Sequence, residues 1–190
     1  LENAKLAAEA CAENMDGETQ RMALIPYAAS SSVTVSLTNS SAKLVSGIRD
    51  LSAVGGTDIS GAIQTALEEL SGAGGTRAII LLTDGQDNNS EEEMQKVLAQ
   101  AKRQDVAIFA VGLGDVNASY LRNIAQSTGG KFIAAETSTE LADIYQLLQQ
   151  YIVNNYCFEY TITDNPETDP RSLTVGIPEY AADDVKFYRI

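Results

Sequence analysis

The chain has 190 residues, with 13 Lys and Arg against 26 Asp and Glu, so its formal net charge is −13, and it has no histidine. A surface with this excess of negative charge repels phosphate backbones and anionic lipids. This argues against a nucleic acid or a membrane surface as the partner. The absence of histidine excludes imidazole-based triads and His-ligated zinc, so any metal would be held by oxygen ligands, which suit Mg²⁺, Ca²⁺ or Mn²⁺.

Helical and strand patterns alternate along most of the chain. Apolar or small residues recur at three- and four-residue spacing in the helical segments, and the strand segments are short apolar or β-branched runs. The run at 77–83 is continuously apolar, which is typical of a strand covered on both faces. In chain order the sequence predicts a helix at 1–15, a strand pair at 21–28 and 32–38, helices at 40–51 and 58–71, a strand at 77–83, a helix at 90–104, a strand at 106–111, a helix at 117–128, a strand at 131–135 and a helix at 138–153.

Caps and helix breakers support these boundaries. Ser40 or Ser41 is expected to cap the second helix, and Ser90 precedes three glutamates in the first turn of a later one, where the helix dipole favours anions. Pro26 marks a bulge or a weakly paired stretch in the first strand, because proline has no N–H to donate.

The alternation predicts an α/β domain at 1–154, with a mostly parallel sheet flanked by helices. The pattern then changes to three short strands at 157–163, 172–177 and 185–190, separated by Asn, Pro and Asp turns. We expect a small antiparallel β appendage at 155–190. No apolar run in the 190 residues approaches the roughly 20 residues that a membrane-spanning helix needs. We therefore expect no membrane insertion by this part of the protein.

Oxygen-bearing side chains occur where an open α/β sheet binds its ligands, at the carboxyl ends of the strands. Asp84 follows the strand at 77–83, and Thr57 and Asp58 precede a helix after two glycines. Asp84 could give a divalent cation a charged ligand and Thr57 a neutral one. The same residues also fit a second interpretation, with Thr57 or Asp58 as a helix cap and Asp84 as a turn residue.

Three strings together resemble a von Willebrand factor type A (VWA) domain over about residues 1–153. They are LVSGIRDLSAVGGTDISGAIQTALEEL, RAIILLTDGQDN and VAIFAVGLGDVNASYLRNIAQSTGGKFIAAETSTELADIY. The resemblance implies a Rossmann-like sheet with a metal ion-dependent adhesion site (MIDAS) on its upper edge. It makes Thr57 and Asp84 metal ligands, with Asp58 in a supporting role. Three further residues would lie on the loop beside the site: Gln86, Asp87 and Asn88.

The remaining ligands of such a site come from an Asp-x-Ser-x-Ser loop, which belongs immediately before the helix that opens here at Leu1. That string occurs nowhere in the 190 residues. We therefore expect either that the chain is a fragment without its first strand or that another polypeptide fills the central position. Weak or absent metal binding by this chain alone is the corresponding expectation, with a competent site in the longer protein.

The resemblance also implies a function. It predicts a non-enzymatic protein-binding or adhesion domain whose partner completes the coordination of Mg²⁺, Mn²⁺ or Ca²⁺ with an acidic side chain. Residues 157–190 are similar to the strand tail of some bacterial secreted or surface proteins, so we expect an extracellular or cell-surface location, in a bacterium.

Two alternatives stay open. The first is a structural domain whose acidic loops bind nothing. The second is a dinucleotide site, because Gly112 and Gly114 follow a strand and Glu136 ends the next one. Its third glycine is replaced by Asn117, which suits a helix cap, and Asp115 would direct a charge at pyrophosphate.

Cys11 lies on the apolar stripe of the first helix and is expected to be buried as a small hydrophobe. A disulfide with Cys157 is geometrically possible in the inferred fold and would join the tail to the domain.

Overall fold

The computed structural model of the protein describes residues 2–53, 55–84, 87, 90–137 and 140–153. Within them, helices and strands alternate as the sequence pattern predicts. The helices are α1 (Glu2–Glu13), α2 (Ser41–Arg49), α3 (Ile59–Glu69), α4 (Glu91–Arg103), α5 (Ala118–Ser127) and α6 (Leu141–Val153), and the strands are β1 (Met22–Leu24), β2 (Val35–Thr38), β3 (Arg77–Thr83), β4 (Val106–Leu113) and β5 (Phe132–Ala135).

The strands β3, β4 and β5 form a parallel sheet in that order. β3 pairs with β4 along its whole length, from Arg77 opposite Val106 to Thr83 opposite Gly112. β1 and β2 form a separate antiparallel pair. In the described part of the chain, β3 therefore has a strand on one side only. The predicted fold class, a mostly parallel sheet flanked by helices, is confirmed.

Helices cover both faces of the parallel sheet because successive strand side chains point to opposite faces. Ile79 and Leu81 of β3 and Ile108 of β4 pack with apolar residues of α3, α4 and α5. On the opposite face Phe109 and Val111 of β4 pack with residues of α1 and α6. Burial of each large apolar side chain contributes about 1.5–3 kcal/mol, so packing on both faces of the sheet stabilises the fold.

Side-chain caps mark the predicted helix starts, as the first turns of α2 and α4 show. Ser40 caps α2, its hydroxyl accepting the N–H of Lys43 at 3.4 Å, which decides between the two serines considered. Ser90 caps α4 in a capping box, because the Glu93 carboxylate also accepts the Ser90 N–H at 3.0 Å. These bonds satisfy N–H groups that a helix cannot pair internally.

β1 and β2 are shorter than the predicted strands. The register of the pair already shifts between Met22 and Leu24, and β1 ends before Pro26, which cannot donate to a ladder. The residues that follow turn back on themselves, with an isolated bridge between Tyr27 and Ser31. The irregularity predicted at Pro26 is therefore present. It ends the strand, whereas we expected a bulge within it.

The predicted β appendage at 155–190 lies outside the described residues. The longest helices among the described residues have 13 residues, and no helix there has both the length and the apolar character to cross a bilayer.

Candidate functional site

Asp87 connects the loop after β3 to the start of α3. One carboxylate oxygen, Oδ1, accepts the backbone N–H of Ile59 at 3.1 Å, and the other, Oδ2, accepts the Tyr120 hydroxyl at 2.7 Å. Asp84 lies between the end of β3 and Asp87 in sequence, and its side chain is exposed. The loop that carries Asp84 is thus held against the first turn of α3, the region of the other candidate ligands.

Asp58 is the N-cap of α3. Its Oδ1 accepts the N–H of Gly61 at 2.7 Å, and its own backbone N–H donates to the carbonyl of Ala28 at 2.7 Å. A Cβ at Gly61 would overlap the Asp58 carboxylate, so glycine makes room for this cap. The helix-cap interpretation of Asp58 is confirmed. Thr57, the residue before it, is half-buried.

Tyr27 lies at the same end of β3. Its hydroxyl donates to the carbonyl oxygen of Leu82 at 2.6 Å. Burial raises the pKa of Tyr27 to about 12; a hydrogen bond with Thr83 acts in the opposite direction, and the charges of Asp84 and Asp87 raise the pKa further. Because both carboxylates act on one phenol, Asp84 and Asp87 lie at the same edge of the sheet.

Tyr27 and Tyr120 are the two residues of this region that sequence reasoning missed. Burial raises the pKa of Tyr120 well above its usual range, and the bond to Asp87 raises it further. The contacts join residues 55 and 33 positions apart, so no local pattern reports them. The resemblance predicts Asp87 on the loop beside the site, and the structure adds its bonds to α3 and α5.

The donor atoms of this edge suit a hard cation in kind. Thr57 and Asp84 carry side-chain oxygens, the ligands that Mg²⁺, Mn²⁺ and Ca²⁺ prefer. Asp58 and Asp87 already accept backbone N–H bonds. Across the described residues, no group of three or more Asp, Glu, Cys or His side chains could hold a metal ion. These side chains are of the right chemical type for such a cation, but they are too few to hold it.

Local structure explains why the two glycines of the possible dinucleotide site, Gly112 and Gly114, are glycine. Gly112 lies inside β4, where a Cβ would come 2.5 Å from a methyl carbon of Val116. Gly114 has a φ of +72° in the turn that follows. Asn117 caps α5 as predicted, its side-chain oxygen accepting the N–H of Tyr120 at 3.0 Å. Packing, turn geometry and capping thus account for this segment without a nucleotide.

Cys11 is buried, with 4% of its surface exposed, in the apolar cluster that α1 shares with α6. Burial raises the pKa of its thiol to about 11. The predicted role as a small buried hydrophobe is confirmed. Cys157 lies outside the described residues, so the disulfide stays a prediction.

A parallel sheet between two helical layers, with oxygen side chains at the carboxyl ends of its strands, defines an open α/β domain, a class in which ligands bind at this edge. The family model for the von Willebrand factor type A domain matches residues 1–147. The chain therefore belongs to this family, whose domains commonly mediate protein–protein interactions. A comparison with curated protein sequences gave no match.

Solved structures show the same fold. An aerotolerance-related membrane protein from Bacteroides fragilis is 17% identical with a TM-score of 0.70, over 81% of this chain and 88% of that one. The vWF domain of a type V pilus tip protein from Porphyromonas gingivalis is 14% identical with a TM-score of 0.68, over 84% and 90%.

A third structure, proximal thread matrix protein 1 from the mussel byssus, has a zinc-occupied MIDAS motif. It is 24% identical with a TM-score of 0.64, over 77% of this chain and 40% of that one. Below 25% identity, such likenesses establish the fold alone.

Proposed function

We propose that this domain binds a protein partner through a divalent cation held by Thr57 and Asp84 at the carboxyl end of the parallel sheet. The observation that carries the proposal is the exposed Asp84 on a loop that Asp87 ties to the first turn of α3. Mg²⁺, Mn²⁺ or Ca²⁺ would offer an open position that an acidic side chain of the partner fills. Asp58 supports the site by fixing the start of α3.

The ligand set is completed by a segment that carries Asp-x-Ser-x-Ser. The string is absent from the 190 residues, and the side of β3 away from β4 has no strand among the described residues. A parallel strand on that side would end beside Asp84, because the carboxyl ends of neighbouring parallel strands meet at one edge. Without such a segment, metal binding is weak or absent.

The proposed role is that of a non-enzymatic interaction module at a bacterial cell surface or outside the cell. Support comes from the family match and from the pilus tip and membrane proteins of bacteria that share the fold. A purely structural domain is the second candidate. It is favoured by the role of Asp58 as the N-cap of α3.

Calorimetric titration with Mg²⁺ and Mn²⁺ tests the cation site. We expect no micromolar binding by the 190-residue chain, and micromolar binding by a longer chain with an Asp-x-Ser-x-Ser segment ahead of Leu1. In the longer chain Asp84→Ala should abolish binding, because it removes a charged ligand. Asp115→Ala is the matched control, since Asp115 is also an exposed aspartate after a strand of the sheet.

Three results would contradict the proposal. Micromolar binding by the 190-residue chain that Asp84→Ala removes would show that the site is already complete. Equal losses in both variants of the longer chain would mean that only the net charge matters. A longer chain that binds no metal would leave the structural domain as the better description.

A further inference from the structure

A cavity of about 320 Å³ opens between α4 and α5. Its volume is at the lower end of the range for ligand pockets. The buried Met94 of α4 and the half-buried Tyr120 of α5 supply apolar surface. Polar side chains of the same two helices, Gln95 and Asn123, contribute amide groups to the lining. The cavity thus combines an apolar floor, an aromatic ring and hydrogen-bonding groups.

The charge of the cavity has one sign. Asp87 and Glu91 line it, and no Lys or Arg does so among the described residues. Lys96 of α4 instead pairs with Glu92 at 2.7 Å, outside the lining. The protein as a whole carries a formal charge of −13, so the surrounding potential reinforces the two carboxylates. A cationic group is the electrostatic complement of this cavity.

The Asp87 carboxylate has a fixed position in the cavity. It is bonded to the Ile59 N–H of α3 and to the Tyr120 hydroxyl of α5. The same bond orients the Tyr120 ring, which therefore forms a stable wall. Because the Tyr120 ring is already held in place, a ligand that binds against it does not have to pay the entropy of ordering it.

We propose that this cavity binds the guanidinium group of an arginine side chain on a protein partner. A planar guanidinium stacks on an aromatic ring and presents five N–H donors to carboxylate and amide oxygens. A lysine ammonium has the charge but neither the plane nor the donor geometry. The contact needs no metal, although Asp87, which lines the cavity, also ties the loop of the proposed cation site to α3.

Nuclear magnetic resonance titration of the 190-residue chain with N-acetyl-arginine amide tests the proposal. We expect saturable shifts of backbone amides in 91–95 and 118–123. The citrulline analogue keeps the shape but has no charge, and should bind about tenfold more weakly, a difference of about 1.4 kcal/mol. The lysine analogue should also bind more weakly.

Two variants locate the site. Glu91→Gln should weaken arginine binding about fivefold, the size of an exposed ion pair. Glu92→Gln is the matched control, because Glu92 is exposed in the same first turn of α4 but does not line the cavity. Equal effects of the two variants, equal binding of citrulline or lysine, or the same shifts produced by Mg²⁺ would each overturn the proposal.

Discussion

Tyr27 is a buried phenol that donates to a backbone carbonyl at the carboxyl end of β3. Its pKa rises to about 12 from an ordinary value of 10.0, chiefly because burial disfavours the charged phenolate. A pKa raised on folding adds stability below the unfolded-state value, and this stability is lost as the pH rises through the folded-state value. Tyr27 therefore stabilises the protein up to about pH 10 and ceases to do so by about pH 12.

Tyr27→Phe should lower the free energy of unfolding by about 1 kcal/mol at pH 8, because the Leu82 carbonyl loses its donor. Above pH 10 the difference between variant and parent should shrink, since only the parent has this phenol to ionise. Urea unfolding at a series of pH values measures both effects. A constant difference across the series would mean that Tyr27 does not titrate between the two pKa values.

At the residue scale, the sequence pattern predicts the hydrogen bonds between near neighbours in the chain but not those between distant residues. Asn117 was expected to cap its helix and Asp58 was one of two expected caps, because a side-chain oxygen before a helical run meets the free N–H groups of the first turn. The bond from Tyr120 to Asp87 depends on how α5 packs beside the loop. Residue type alone does not contain that information.

The helix α4 begins with a reciprocal cap. The Ser90 hydroxyl accepts the N–H of Glu93 at 3.3 Å, and the Glu93 carboxylate accepts the N–H of Ser90. The Ser90 backbone N–H, and after it the Ser90 hydroxyl that donates to the same carboxylate at 2.8 Å, hold the pKa of Glu93 below its usual value. These hydrogen bonds therefore fix the first turn of α4, which lines the cavity between α4 and α5.

Ser90→Ala should destabilise the protein by about 1 kcal/mol, the usual cost of losing a serine cap. Ser90→Asn should be nearly neutral, because asparagine caps a helix as well as serine does. Thermal or urea unfolding of the two variants beside the parent gives the comparison. Equal destabilisation by alanine and asparagine would show that the hydroxyl acts in some other way.

Among the elements, β3 and β1 show what a sequence pattern can and cannot determine. β3 has the predicted bounds because a run of five apolar residues, 78–82, lies between Arg77 and the Thr83-Asp84-Gly85 segment. β1 ends four residues before its predicted end, because the turn that follows Pro26 is stabilised by contacts with other parts of the chain. One such contact is the bond from the Asp58 N–H to Ala28.

The whole molecule carries twice as many acidic as basic residues. Mutual repulsion of like charges opposes the compact state and is screened by salt. We expect added NaCl to stabilise the protein by about 1 kcal/mol, or roughly 2–4 °C in its melting temperature at this size. Choline chloride at the same ionic strength should act similarly, because screening depends on charge and concentration. A fall in melting temperature would contradict this expectation.

Within the part of the chain that the structure describes, β3 pairs with a strand on one side only, which has a consequence for self-association. An apolar strand with an unpaired edge is a template on which a strand of another copy can add. The Tyr27 hydroxyl already donates to the carbonyl of Leu82 at the carboxyl end of β3, so that carbonyl has a donor before any further strand is added. A strand that paired with this carbonyl, from another copy or from a completing segment, would have to displace the tyrosine hydroxyl.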